Sequence, residues 1–274
     1  MAVARLSILR RSIPPGWAAV VVLVFSAAIA AQLLGRDTAI AFAITLFAAG
    51  IAHGAGDEQG SNISRYSLAQ GFAYLLAGLA IAAVFVAWPL AGLTVFLLIS
   101  AWHFARSGPG AAAYRAGFAF TAIGGSALWN LTETAEAFRL VLGAEPPRAW
   151  MLTLAMLGAA GLVLASIALA HDRRWSLQNG VLLASLAAMA LFHPILAVGL
   201  AFILGHALPV QREQLRRYGI KQALIAQAPA TGLAVIAILA IIVLVIMGWL
   251  SVPIAAALAF GMAPPHMLAE RLDR

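Results

Sequence analysis

The chain has 274 residues, of which 63% are hydrophobic and only 10% charged. A soluble domain carries roughly 25% charged residues, and so much apolar surface exceeds what a core of this size can hide, so lipid must cover the rest. The formal charge of +7 is no nucleic-acid signal, because the basic residues sit in short segments between apolar runs. The absence of cysteine excludes disulfides, thiolate-held metals and iron–sulfur clusters, leaving histidine and carboxylate as the strong metal ligands.

In chain order, residues 1–16 form a basic N-terminus with Arg5, Arg10 and Arg11, ending in Pro14-Pro15-Gly16. The apolar run 17–34 that follows is a first transmembrane helix or, as the alternative, a cleaved signal peptide. Further spans are expected at 38–56, 68–86, 90–105 and 112–131. A long polar connection then covers 132–148. Later spans are expected at 150–170, 177–192, 195–210, 228–249 and 253–268, with a basic loop at 211–221. This predicts one all-α integral-membrane domain over 1–274, a polytopic helix bundle of about ten helices (8–10).

With the N-terminus in the cytoplasm, fourteen of the seventeen basic residues fall on cytoplasmic segments, leaving only Arg36, Arg139 and Arg148 outside. The positive-inside rule asks for this asymmetry, and a miscounted helix would scramble it. Both termini are therefore expected in the cytoplasm.

The same topology sends His53, His103, His206 and His266 to the cytoplasmic ends of four helices that all run inward. Residues far apart in sequence can then meet in one layer. Imidazole is a good transition-metal ligand, and a polar group inside a membrane bundle marks function. The four are the candidate metal ligands. Asp57 and Glu270 each follow one of them by four residues, which on a helix is the same face. They are candidates to orient an imidazole through its other ring nitrogen, or are simply cytoplasmic residues. Trp102, Phe104 and Phe202 could line a path for a flat apolar substrate, or belong to an interfacial aromatic belt. His171, beside Asp172-Arg173-Arg174, reads as solvated. His193 falls on the opposite face. Nothing matches an HExxH motif, a P-loop or a dinucleotide-binding glycine fingerprint.

Four stretches, His53-Gly54-Ala55-Gly56-Asp57, Ser100-Ala101-Trp102-His103-Phe104, the helix of His206, and Pro265-His266-Met267-Leu268, resemble in order and spacing the Brp/Blh family of membrane β-carotene 15,15'-dioxygenases. The resemblance runs from about residue 45 to the end. It implies oxygen-dependent central cleavage of β-carotene, or a related carotenoid, to retinal, using Fe(2+) held by His53, His103 and His206. It also implies O2 and carotenoid reaching the site from the lipid bilayer of a bacterial plasma (inner) membrane. Retinal could pass on to a rhodopsin-type protein, and no nucleic acid is involved. Two departures stand out. Ala105-Arg106-Ser107-Gly108 lacks the acid that usually follows the second motif, and Val210 stands where a further histidine is usual; His266 then becomes the best candidate for a fourth ligand. The competing readings are a non-catalytic carotenoid- or retinal-binding membrane protein and a small-solute or metal transporter. A transporter would spread polar residues through the membrane depth, whereas here they gather at one face.

Overall fold

The computed structural model describes residues 15–57, 68–107, 110–171 and 176–269. Among the described residues 91% are helical and none is in a strand. The first half comprises α1 (Pro15–Leu33), α2 (Arg36–Asp57), α3 (Leu68–Ala87), α4 (Pro89–Ser107), α5 (Ala112–Trp129) and α6 (Leu131–Leu142). The second half comprises α7 (Arg148–His171), α8 (Leu177–Leu191), α9 (Pro194–Phe202), α10 (Leu208–Tyr218), α11 (Ile220–Ile246), α12 (Val252–Gly261) and α13 (Ala263–Ala269). A π turn over Ile203–Ala207 joins α9 to α10, so that Pro194–Tyr218 is one continuous rod.

The rod is the axis of the main core. Leu196, Ala197, Leu200, Ala201 and Leu204 are buried against Ala39, Ala43 and Leu46 of α2, Phe118 and Ala122 of α5, and Leu182 and Met189 of α8. α5 and α7 meet backbone to backbone. A Cβ built at Gly124 would lie 2.5 Å from the amide nitrogen of Gly158, so no side chain fits at either position. Small residues give helices this approach in membranes, where water no longer drives apolar surfaces together. A smaller core joins Phe85 of α3, Leu93 of α4, Leu142 of α6 and Ala257 of α12.

Large apolar side chains cover the outside. On α11 alone Leu224, Ile225, Leu233, Ile236, Leu239, Val243 and Ile246 are exposed. Five helices among the described residues are long and apolar enough to cross a membrane: Gly16–Leu33, Pro89–Arg106, Arg148–His171, Pro194–Tyr218 and Ile220–Ile246. Such segments are compatible with a membrane protein. α2 and α5 are of similar length but are not among the five.

Three expectations need correction. The connection expected over 132–148 begins as a helix, α6, whose Glu133, Glu136 and Arg139 made it look like a loop. Its apolar residues return at helical spacing: Leu131, Ala135 and Phe138 pack beneath Met151 and Leu154, and Leu142 joins the smaller core. Gly143, left-handed at φ 72°, then ends it. The basic loop expected at 211–221 is also helical: α10 runs to Tyr218, and α11 starts at Ile220 rather than 228. Finally, the span expected at 253–268 is divided near Met262 into α12 and α13.

A buried histidine pair at one end of the bundle

His103 lies in the last turns of α4 and His206 in the π turn. Both are 2% exposed, and their Nε2 atoms are 3.0 Å apart. The rings meet edge-on, 4.7 Å between centroids at 70°. Two segments 103 residues apart in sequence thus bring their imidazole nitrogens to a single point.

The walls around this point are aromatic. Phe104 lies 4.9 Å from the His206 ring and Phe202 6.1 Å from it. Phe47 of α2 stacks on Phe202 at 5.7 Å, and Phe118 of α5 packs on Phe104 at 6.0 Å. Two glycines admit these rings. Phe202 takes the place of a side chain at Gly50, and Phe118 takes the place of one at Gly205. Trp102 is turned outward instead: it is 37% exposed and lies under the Arg106 guanidinium, 5.3 Å from its centroid.

The other expected ligands can be placed by backbone. The Gly50–Phe202 contact lies three residues before His53 and four before His206. α2 and the rod run the same way at this contact, so one further turn brings both histidines to one level. On α13, Met267 accepts a hydrogen bond from the Ser100 hydroxyl at 3.9 Å. Ser100 is one turn before His103, so residue 266 adjoins the helix face that carries His103. The side chains of His53, Asp57 and His266, and all of Glu270, lie outside the described residues. Val210, half-buried in α10, adds no imidazole. His171 ends α7 exposed.

The donor set suits a transition metal. Two buried imidazoles, one from each segment, turn their Nε2 atoms to one spot. Nitrogens ~2.1 Å from a shared ion and at about a right angle would be ~3.0 Å apart. A single shared proton between one donor and one acceptor nitrogen would give the same separation. Among the described residues no group of three or more potential ligands gathers, so any fuller shell must draw on the undescribed side chains.

Sequence reasoning missed Phe47, Phe118 and an amide chain. Gln211 Nε2 donates to Gln227 Oε1 at 2.8 Å, and Gln227 Nε2 donates to Gln214 Oε1 at 2.7 Å. This chain ties α10 to α11 just beyond His206. Gln227 in an apolar helix was a usable signal, hidden because the helix was expected to start one residue later. The two phenylalanines gave no signal, being apolar residues in apolar helices.

A further buried histidine, His193, 5% exposed, caps the start of the rod. Its backbone N–H donates to Gln32 Oε1 at 3.0 Å, and among the described residues neither ring nitrogen has a hydrogen-bond partner. Burial lowers its pKa below the ordinary histidine value, and Arg36 lowers it further; Glu133 and Glu136 pull the other way.

The family model described as Beta-carotene 15,15'-dioxygenase matches residues 42–271. Comparison with curated proteins and with solved structures gives no match. The match spans all four histidine segments and nearly the whole helical bundle, and the chain belongs to this family.

Proposed function

We propose that this family member splits β-carotene, or a closely related carotenoid, at its central 15,15' double bond with O2 to give retinal. The observation that carries the reading is the buried His103–His206 pair, with Nε2 atoms 3.0 Å apart, inside the matched region. In this reading His103 and His206 hold Fe(2+), with His53 and His266 completing the set. Fe(2+), when bound, supplies the open positions and the redox chemistry that O2 needs.

The chain's own residues then have separable tasks. Neutral imidazoles leave the ion its full charge in a setting with few competing ligands. Phe104 and Phe202 fix the His206 ring by contact and present apolar faces on which a flat polyene can lie. Phe47 and Phe118 back them and keep water from the reacting carbons. Asp57 and Glu270 are proposed to accept hydrogen bonds from ligating imidazoles. Carotenoid and O2 both partition into lipid, so both would arrive sideways from the bilayer. The arginine distribution supports placing this end of the bundle, and both termini, at the cytoplasmic face of the plasma membrane.

The test is expression in a bacterial host that accumulates β-carotene, with His206→Ala alongside and iron measured on the purified protein. Retinal and iron in the wild type, and neither in the variant, is the expected result. Iron-free wild type that yields no retinal would sink the reading. Carotenoid bound without cleavage would favour the non-catalytic binder, which the valine at position 210 motivates.

A further inference from the structure

The rod that carries His206 is interrupted by a π turn at that residue. Leu208 N–H bonds to the carbonyl of Ile203, five residues back, where an α-helix would use the fourth. The next residue is Pro209. In an unbroken α register its missing N–H would leave the Gly205 carbonyl without a donor, and its ring would collide with that carbonyl. A wider turn removes the collision. The extra residue it absorbs rotates everything before it by about 100° relative to everything after it.

Proline alone does not produce such a turn. Pro229 sits inside α11, and the helix passes through it in α form. The difference lies in what surrounds each helix. α11 is exposed along most of its length and can bend away from the ring. The rod cannot. α9 is sealed against α2, α5 and α8, and α10 is tied to α11 through Gln211, Gln227 and Gln214. With both ends held, the strain is taken up between them. At Gly205 the Phe118 ring fills the place of a side chain, so the widened turn has a fitted neighbour on that side.

We infer that Pro209 is a positioning residue for the histidine pair: by forcing the π turn between two anchored helix segments, it aims His206 Nε2 at His103 Nε2. This rests on the metal reading proposed above and deepens it. It makes the proline a determinant of metal geometry although it bears no ligand atom. It also separates stability from metal binding. Removing a proline from a helix interior restores a backbone donor and should not weaken the fold. If the proline sets the site, the same change should weaken the site.

The experiment compares purified wild type, Pro209→Ala and Pro229→Ala in detergent. It reads iron per chain, the visible absorption of the Co(2+)-substituted proteins, and the melting temperature. Wild type and Pro229→Ala should hold iron equally and give the same Co(2+) spectrum. Pro209→Ala should melt no lower than wild type, hold iron about tenfold more weakly or worse, and give an altered Co(2+) spectrum. Pro209→Ala with wild-type iron and spectrum overturns the inference. So does a Pro209→Ala chain that fails to fold, or a Pro229→Ala chain that loses iron equally, because each makes the effect one of general packing. Iron-free wild type overturns the metal reading itself, before any variant is compared.

Discussion

One rod carries a buried histidine at its start and another at its middle, and the two are used differently. His206 has an imidazole nitrogen 3.0 Å from its own and aromatic rings around it. Among the described residues His193 has no partner for either ring nitrogen, and its charged neighbours are Arg36, Glu133 and Glu136. Burial is equal in kind, so burial does not distinguish a functional histidine from a packed one. Convergence does: His206 meets a second imidazole from another helix, whereas His193 caps the start of α9 and meets none.

The largest expected effect tests this contrast directly. His103→Ala or His206→Ala should abolish retinal formation and lower iron affinity about 100-fold or more, since even partners one step removed from a metal cost 10–100-fold. His193→Phe should leave both unchanged. Equal loss of iron in His193→Phe would show that the two histidine positions of the rod are not distinct.

Next in size is the packing that holds the rod in place. Gly158→Val pushes a branched side chain into the backbone of Gly124 on α5, with no flexible neighbour to yield. Overpacking of this kind typically costs about 1–3 kcal/mol and sometimes more. The expected readout is a lower melting temperature together with lower iron content, because α5 also carries Phe118 to the site. A lower melting temperature with full iron content would mean that the α5–α7 seam does not support the histidine end.

These contrasts also explain how much could be read from sequence. Four histidines were expected in one layer, and the structure brings two of them, His103 and His206, together. Phe104 and Phe202 do meet the pair, while Trp102 does not, because neighbours on a helix point about 100° apart. The π turn was hidden. Pro209 looked like a helix end, and nothing local reveals that both flanking segments are anchored. α6 was hidden by its charges. Glu133, Glu136 and Arg139 suggested a loop, although Leu131, Ala135, Phe138 and Leu142 repeat at helical spacing. Basic residues likewise disguised α10, whose Gln214 is buried among them.

A smaller effect belongs to His193 alone. Its folded pKa lies below its unfolded value, so the folded chain binds fewer protons there. Stability from this group is complete above the unfolded pKa, about 6.5. It falls as the pH drops through that value towards the lower folded pKa. The wild type should melt a few degrees lower at pH 5 than at pH 7.5, and His193→Phe should lose most of that slope. An unchanged slope would place the acid sensitivity elsewhere.

The smallest effect concerns the charges beside His193. Arg36 Nη1 and Glu136 Oε2 are 3.2 Å apart, with side chains 50% and 44% exposed. A pair so open contributes at most about 1 kcal/mol, so Glu136→Gln should barely move the melting temperature at neutral pH. Its effect should appear in acid. Glu136 raises the His193 pKa and restrains Arg36, which lowers it. Removing the carboxylate therefore leaves His193 harder to protonate in the fold, and the fall in stability below pH 6.5 should become steeper. In Glu136→Gln combined with His193→Phe that extra steepness should vanish. If it persists, the carboxylate acts on another group, and the start of the rod is a set of independent charges.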